Sequence, residues 1–223
     1  MIAPLVSLCA AAVAAVFCGK LLRQWRERRR PHALAWSFSL GLFAVASLAA
    51  GAGMALGWSP VVFAVYWFTG GLIVVPFLAA GQLMLMDPRR MLIWWTLGGL
   101  FAVWALAALL LSQFDAAALA AADAAHTIPT GKDVFGEGQL GYELLGFANY
   151  TAAVVVIGTV WSALRTRRWQ ILLIALGVLI AGASFVFIRA GIPAGFSASL
   201  AAGVTAMYAG FVAAGKPSRR TAS

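Results

Sequence analysis

Seven long runs of apolar residues limit what this chain can fold into. They cover approximately residues 2–19, 34–57, 61–86, 91–112, 144–164, 169–189 and 192–214. A helix needs about 20 predominantly apolar residues to cross a bilayer, so each run is long enough to span one. Hydrophobic residues make up 63% of the 223 positions, well above the roughly 45–50% of soluble domains. The pattern predicts an all-α, polytopic membrane protein with seven transmembrane helices.

The connections between these runs predict one compact bundle. Most connections are short; the exception is an extracytoplasmic loop over 113–143. We divide residues 1–223 into a first three-helix unit (1–90), a linker helix (91–112), that loop, a second three-helix unit (144–215) and a cytoplasmic tail (216–223). The Ala-rich part of the loop predicts a short helix on the membrane surface, and the glycines and Pro129 that follow predict irregular backbone.

The basic residues predict the orientation of the bundle. The net charge is +9, but the basic residues sit in clusters between apolar runs, which is typical of cytoplasmic loops and makes a nucleic-acid partner unnecessary. Threading the chain through seven spans puts 14 of the 16 basic residues on one side: Lys20, Arg23, Arg26, Arg28, Arg29, Arg30, Arg89, Arg90, Arg165, Arg167, Arg168, Lys216, Arg219 and Arg220. The positive-inside rule makes this side cytoplasmic, with the N-terminus outside and the C-terminus inside.

The first and last thirds of the chain share the spacing of several prolines and glycines, which indicates an internal repeat. Pro60 corresponds to Pro193 and Gly70 to Gly203 at one offset, and Gly81 corresponds to Gly210 after a short gap. The alternative is coincidence among Ala- and Gly-rich helices of the same topology. A true repeat would give a three-plus-one-plus-three design with parallel halves.

This layout is similar in topology to SWEET-type sugar facilitators and to microbial rhodopsins. The residues that mark those families are missing. Retinal needs a lysine inside the seventh span, whereas Lys216 lies beyond the last apolar run, and the Pro-Gln dipeptide of the SWEET family occurs nowhere. The comparison therefore predicts an architecture and no activity.

Three segments carry a closer likeness. They are Ile128 to Gly136 (IPTGKDVFG), Arg30 to Trp36 (RPHALAW) and Gly57 to Pro60 (GWSP). Together they resemble a family of uncharacterised seven-helix membrane proteins common in actinobacteria. The resemblance implies a seven-helix topology and a bacterial cytoplasmic membrane, and it assigns no catalytic residue.

Residues suited to catalysis or metal binding are scarce within the apolar runs. His32 and His126 fall in loops on opposite sides, and Cys9 and Cys18 lie on opposite faces of one helix. We therefore predict no metal, cofactor or disulfide. Ser184 has no membrane-embedded base to activate it and is interpreted as a packing residue. An intramembrane enzyme is accordingly not favoured.

The fifth apolar run carries a polar face. Glu143, Tyr150 and Trp161 lie within about 20° of one another on a helical projection, beside Tyr142 and Asn149. We expect this face to point into the bundle, with Asn149 and Tyr150 in a solute site. The alternative is interfacial anchoring plus one hydrogen bond between helices.

An ion pair between two helices is a further expectation. Glu143 and Arg189 are predicted at similar depths near the outer surface. A pair between them would join the fifth and sixth helices there. The alternative is that Arg189 extends its guanidinium into the lipid headgroups.

The third apolar run contains the strongest indication of a cavity. Pro76 removes a backbone donor near the middle of that helix, and interrupted helices mark binding sites in transporters. We place Tyr66, Thr69, Gln82 and, on the seventh helix, Tyr208 in the same solute cavity. The alternative is a kink that serves packing alone.

These patterns lead to two functional hypotheses. The first is a passive carrier or binder of a small solute or lipid, with its site between the two three-helix halves. The absence of an intramembrane carboxylate argues against proton or sodium coupling. The second is a non-transporting scaffold or accessory subunit. Its partners are membrane lipids together with a membrane protein or a second copy of the chain.

Overall fold

The computed structural model describes residues 2–167 and 169–215, and it confirms an all-α polytopic bundle. Within these residues no strand occurs and seven helices are long and apolar enough to cross a membrane. The helices are α1 (Ile2–Arg28), α2 (Pro31–Leu56), α3 (Pro60–Met86), α4 (Met91–Leu111), α5 (Ala116–Ala124), α6 (Gly131–Phe135), α7 (Leu140–Thr166), α8 (Leu172–Arg189) and α9 (Pro193–Gly215). The tail predicted over 216–223 and the basic residue Arg168 lie outside the described residues.

The helix boundaries follow from local chemistry. Pro31, Pro60 and Pro193 each occupy the first turn of a helix, where the missing N–H has no intrahelical partner to lose. The side chain of Ser59 caps α3 by accepting a hydrogen bond from the backbone of Val62. Except over residues 112–139, the connections between consecutive long helices are short. Helices joined in this way lie antiparallel beside each other.

Six of the long helices form a closed ring. In order of contact the ring runs α1, α2, α3, α7, α8, α9 and back to α1. Helix α4 packs outside the ring, against α3 and α7. The contact between α1 and α9 includes a 2.9 Å hydrogen bond between the hydroxyls of Ser7 and Ser197. That α4 links two three-helix units stays a prediction.

Glycines in the two halves pack in the same way. A Cβ atom at Gly70 would lie 2.9 Å from Ala46 of α2, and one at Gly203 would lie 2.9 Å from Ala181 of α8. Each glycine thus faces the helix that precedes its own. A true repeat requires this relation, and the repeat itself stays a prediction.

One end of the ring, here called the capped end, is covered by residues 112–139. Helix α5 forms where the Ala-rich stretch predicted it, with Asp115 as its N-cap. Leu119 and Ala122 of this helix are buried against the bundle, and its position on the membrane surface stays a prediction. The second half of the segment was predicted to be irregular, yet it contains the short helix α6 with Thr130 as its N-cap.

Apolar side chains of the capping segment insert into the ring. Ile128, Val134 and Phe135 join one core cluster with aromatic residues of α3. The Phe135 ring centroid lies 5.6 Å from that of Phe63 and 5.9 Å from that of Trp67. The opposite end of the ring, here called the basic end, carries the arginines of the short connections.

Candidate functional site

A central cavity of about 130 Å³ lies inside the ring. Residues of α2, α3, α7, α8 and α9 line it, and most of them are apolar. A cavity of this size holds several water molecules or part of an organic ligand, since one water needs roughly 10–15 Å³ on the same measure. The cavity lies between α2 and α3 on one side and α7, α8 and α9 on the other, and its use as a solute site stays a prediction.

Helix α3 changes its winding beside this cavity. Residues Trp67–Ile73 form a π-helical segment, and Gly70 and Gly71 within it line the cavity. Pro76 follows three residues later, where its ring would crowd the preceding turn of a regular α-helix. The interruption expected near Pro76 is therefore present on its N-terminal side. π-helical turns occur frequently at functional sites.

Side chains of α2 hold the irregular helix in place. The Ser39 hydroxyl donates to the carbonyl of Val74 at 2.6 Å, and the Trp36 indole donates to the carbonyl of Leu78 at 3.1 Å. These two carbonyls lie on either side of Pro76. The hydrogen bonds fix α3 against α2 without closing the cavity.

The hydroxyl of Ser47 is the one polar atom of the cavity wall that is buried without a hydrogen-bond partner among the described residues. Its side chain is 1% exposed. A buried hydroxyl without a partner costs about 1–3 kcal/mol of desolvation. Almost none of this oxygen's surface is exposed, even toward the cavity, so the side chain would have to turn before it could bond a molecule there.

A second space, here called the cap cleft, lies between the capping segment and the ends of α3, α7 and α8. Its volume is about 340 Å³. Tyr66, Trp67 and Phe185 line both the cap cleft and the central cavity. These three aromatic side chains therefore form the wall between the two spaces.

The position of Trp67 depends on a glycine of the capping segment. Its indole donates to the carbonyl of Gly141 at 2.8 Å, and its ring lies against Gly131. A Cβ atom at position 131 would overlap that ring. The IPTGKDVFG segment thus has a structural explanation, because its glycine makes room for Trp67 and its Phe135 packs beside it.

The central cavity also has an open side between α7 and α8. Asn149 on α7 and Gly182 and Phe185 on α8 line the cavity and are exposed in the isolated chain. These residues lie within the long spans, away from the helix ends.

Toward the basic end the cavity is closed. Leu40, Leu78, Val178 and Met207, here called the apolar constriction, separate the cavity from a space of only about 20 Å³. That space has room for about one water molecule. The central cavity is therefore bordered by the three aromatic side chains toward the cap cleft and by the apolar constriction toward the basic end.

The cap cleft carries most of the charge near the site. The Lys132 ammonium lies 2.6 Å from the Glu137 carboxylate. Their hydrogen bond raises the pKa of Lys132 and lowers the pKa of Glu137, so both stay charged near neutral pH. Asp133 accepts a hydrogen bond from the Thr130 hydroxyl at 2.6 Å.

Two of the seven predicted cavity residues line the central cavity. Tyr66 and Asn149 do so. Thr69 is buried, but its hydroxyl donates to the carbonyl of Val65. Gln82 lines the small space at the basic end and bonds Ser162.

The other three predicted cavity residues lie elsewhere. Pro76 is buried in α3, next to the π-helical segment. Tyr208 bonds Lys20 and packs against Phe17 toward the basic end. The prediction that the α7 polar face points into the bundle is wrong, because Tyr150 is 80% and Trp161 56% exposed. Helix α7 is apolar on most sides, so its polar residues did not identify its buried face.

The predicted ion pair is also absent. Among the described residues Arg189 has no carboxylate within 4 Å, and Glu143 instead accepts a hydrogen bond from the backbone of Gly138 at 3.1 Å. That bond satisfies an amide at the start of α7, which is a common role for an acidic residue in a first turn. Arg189 lines the cap cleft.

Sequence reasoning missed Ser47, Gly182 and Phe185 as cavity residues, and it assigned Ser184 to packing. Ser184 is buried and lines the cavity. Only the small size of Gly182 and Ser184 within an apolar run could have indicated a cavity wall. Comparisons with protein-family models, with curated proteins and with solved structures found no match.

Proposed function

We propose that this protein is a passive binder or carrier of a small, mainly apolar molecule, held in the central cavity between its two three-helix units. The cavity itself carries the proposal, because its mostly apolar wall and its volume of about 130 Å³ suit part of an organic ligand. Among the described residues no carboxylate lines this cavity, which supports transport that is not coupled to protons or sodium.

We also propose an orientation and a location for the bundle. The capped end faces the outside of a bacterial cytoplasmic membrane, and the basic end faces the cytoplasm, following the distribution of Lys and Arg. Periplasmic-type reporters fused after Ala121 should then be active and those fused after Arg30 inactive. The opposite pattern would reverse the orientation.

Thiol labelling tests the cavity as a binding site. In a background with Cys9 and Cys18 replaced by Ser, the variant Ser47→Cys in lipid nanodiscs should react with a small apolar methanethiosulfonate. Ser39→Cys is the matched control: Ser39 is on the same helix and buried, but it does not line the cavity. Its labelling should be at least tenfold slower.

Protection from labelling tests ligand binding directly. Dodecanol, an apolar molecule with one hydroxyl, should slow the labelling of Ser47→Cys and leave a surface cysteine at Ala121 unaffected. Equal labelling of positions 39 and 47, or no protection across a panel of alcohols, amides and short lipids, would overturn the proposal. The scaffold alternative would then be the hypothesis to pursue, through stoichiometric co-purification of a membrane partner.

A further inference from the structure

The central cavity, its open side and the cap cleft are arranged along one face of α8. Phe185 lines both spaces, and Arg189 lies one helical turn beyond it and lines the cap cleft. Residues four apart on a helix share a face. From Val178 at the bottom of the cavity to Arg189 the helix rises by about 16 Å. An apolar compartment is thus followed directly by a cationic group at the end of the same face.

Arg189 is the cation of the cap cleft that is not already neutralised. Lys132 is paired with Glu137 at 2.6 Å. Asp133, the acidic residue that lines the same cleft, accepts from the Thr130 hydroxyl. Among the described residues no carboxylate lies within 4 Å of the Arg189 guanidinium. A guanidinium at the edge of an apolar compartment binds a carboxylate well, because two parallel N–H groups match its two oxygens.

We propose that the ligand is a single-chain carboxylate amphiphile, a fatty acid of medium chain length. Its carboxylate binds Arg189 in the cap cleft, and its chain passes Phe185 into the central cavity. This inference rests on the proposed function and narrows its substrate class. One chain is specified because one apolar compartment adjoins the cleft, and it has room for little more than one chain.

The opening between α7 and α8 gives such a ligand a route. A fatty acid in the membrane keeps its carboxylate at the headgroup level and its chain among the lipid chains. Asn149, Gly182 and Phe185 border the opening at chain depth, and Arg189 ends α8 above them. The chain can therefore enter sideways while the carboxylate stays near the surface and is never taken through the apolar interior.

Competition among three matched amphiphiles tests the inference. Dodecanoate, dodecanol and dodecyltrimethylammonium share one chain and differ in the charge of the head group. Each is titrated against labelling of Ser47→Cys in nanodiscs of neutral lipid, at equal concentrations in the membrane. Dodecanoate should protect about tenfold better than dodecanol, as expected for one added charge-assisted hydrogen bond. The ammonium compound should protect least.

Variants of Arg189 test whether this residue causes the preference for dodecanoate over dodecanol. Arg189→Gln should remove the tenfold advantage of dodecanoate and leave protection by dodecanol unchanged, and Arg189→Lys should restore part of it. Lys132→Gln is the control, since Lys132 is already paired with Glu137; it should change the preference less than twofold. The preference for dodecanoate over dodecanol is first measured on Ser47→Cys with Arg189 intact. That measurement alone tests the carboxylate assignment, even if Arg189→Gln folds poorly.

The outcomes separate the two proposals. If dodecanol and dodecanoate protect equally well, the carboxylate assignment is overturned and the apolar binding site stands. A stronger effect of the ammonium compound overturns the assignment in the same way. If none of the three protects, the proposed function fails together with this inference.

Discussion

Helices α3 and α9 correspond to each other in the predicted internal repeat, and they differ in regularity. Helix α3 contains the π-helical segment Trp67–Ile73 and Pro76, and it borders the central cavity along much of its length. Helix α9 is α-helical from Pro193 to Gly215. Near Gly203 it approaches α8 so closely that a Cβ atom would lie 2.7 Å from the carbonyl oxygen of Gly177. The difference teaches that the cavity lies beside the helix that gives up regular winding, although both helices pack closely against a neighbour.

The largest expected effect comes from placing a proline in the regular helix. Continuing the offset that relates Gly70 to Gly203, Pro76 corresponds to Ala209 on α9. Ala209→Pro should lower the free energy of unfolding by about 3 kcal/mol, because α9 has no π-helical segment to absorb the lost hydrogen bond. Denaturant or thermal unfolding in mild detergent measures it. An unchanged stability would mean that α9 tolerates an interruption as well as α3 does.

The close packing between α8 and α9 predicts that adding a single methyl group at their contact lowers the stability of the protein. Gly203→Ala should destabilise the protein by about 1–3 kcal/mol, because the new Cβ meets backbone atoms of α8 that cannot rotate away. Gly99→Ala on α4 is the control, since nothing lies within 4 Å of its Cβ position. That control should be neutral or slightly stabilising. Similar effects of both changes would contradict the close contact.

Two serines on α2 should respond differently to the same substitution. Ser39→Ala removes the 2.6 Å hydrogen bond to the carbonyl of Val74 and should cost about 1 kcal/mol. Ser47→Ala removes a hydroxyl that has no partner, so stability should stay the same or rise slightly. The free energies of unfolding of both variants, measured without ligand, give the comparison. A larger loss at position 47 would show that its hydroxyl is already satisfied.

Restoring the backbone donor in α3 should have the smallest effect on stability. Pro76→Ala adds one N–H but loses the restriction that proline places on the unfolded chain, so the net change should stay below about 1 kcal/mol. If the π-helical segment needs Pro76, the variant should also slow labelling of Ser47→Cys severalfold. Unchanged labelling would indicate that Gly70 and Gly71 are sufficient for the irregular winding.

The sequence predicted the bundle well and the site in part, for physical reasons that can be named. Hydropathy and basic residues define the spans because the bilayer permits few alternatives. Tyr66 was found because a phenol is rare at that depth, and Pro76 located the interrupted helix although it does not line the cavity. Ser47 was missed because nothing in an Ala- and Ser-rich helix tells which serine lacks a partner.

Errors about the site came from two features that hydropathy does not encode. Tyr150 was placed inside because a helix with apolar residues all round gives no measure of which face is buried. The pair of Glu143 with Arg189 was predicted from depth alone, whereas the capping segment supplies Glu143 with the amide of Gly138. Contacts of this kind depend on how the 112–139 segment folds over the ring.

The apolar constriction has a consequence for the energy supply of a cell. Four apolar side chains, Leu40, Leu78, Val178 and Met207, meet at the end of the central cavity nearest the basic end. Constrictions lined by apolar side chains block hydrated ions and continuous files of water by dewetting. A constriction of this kind would let the cavity hold an apolar ligand without giving ions a path across an energised membrane.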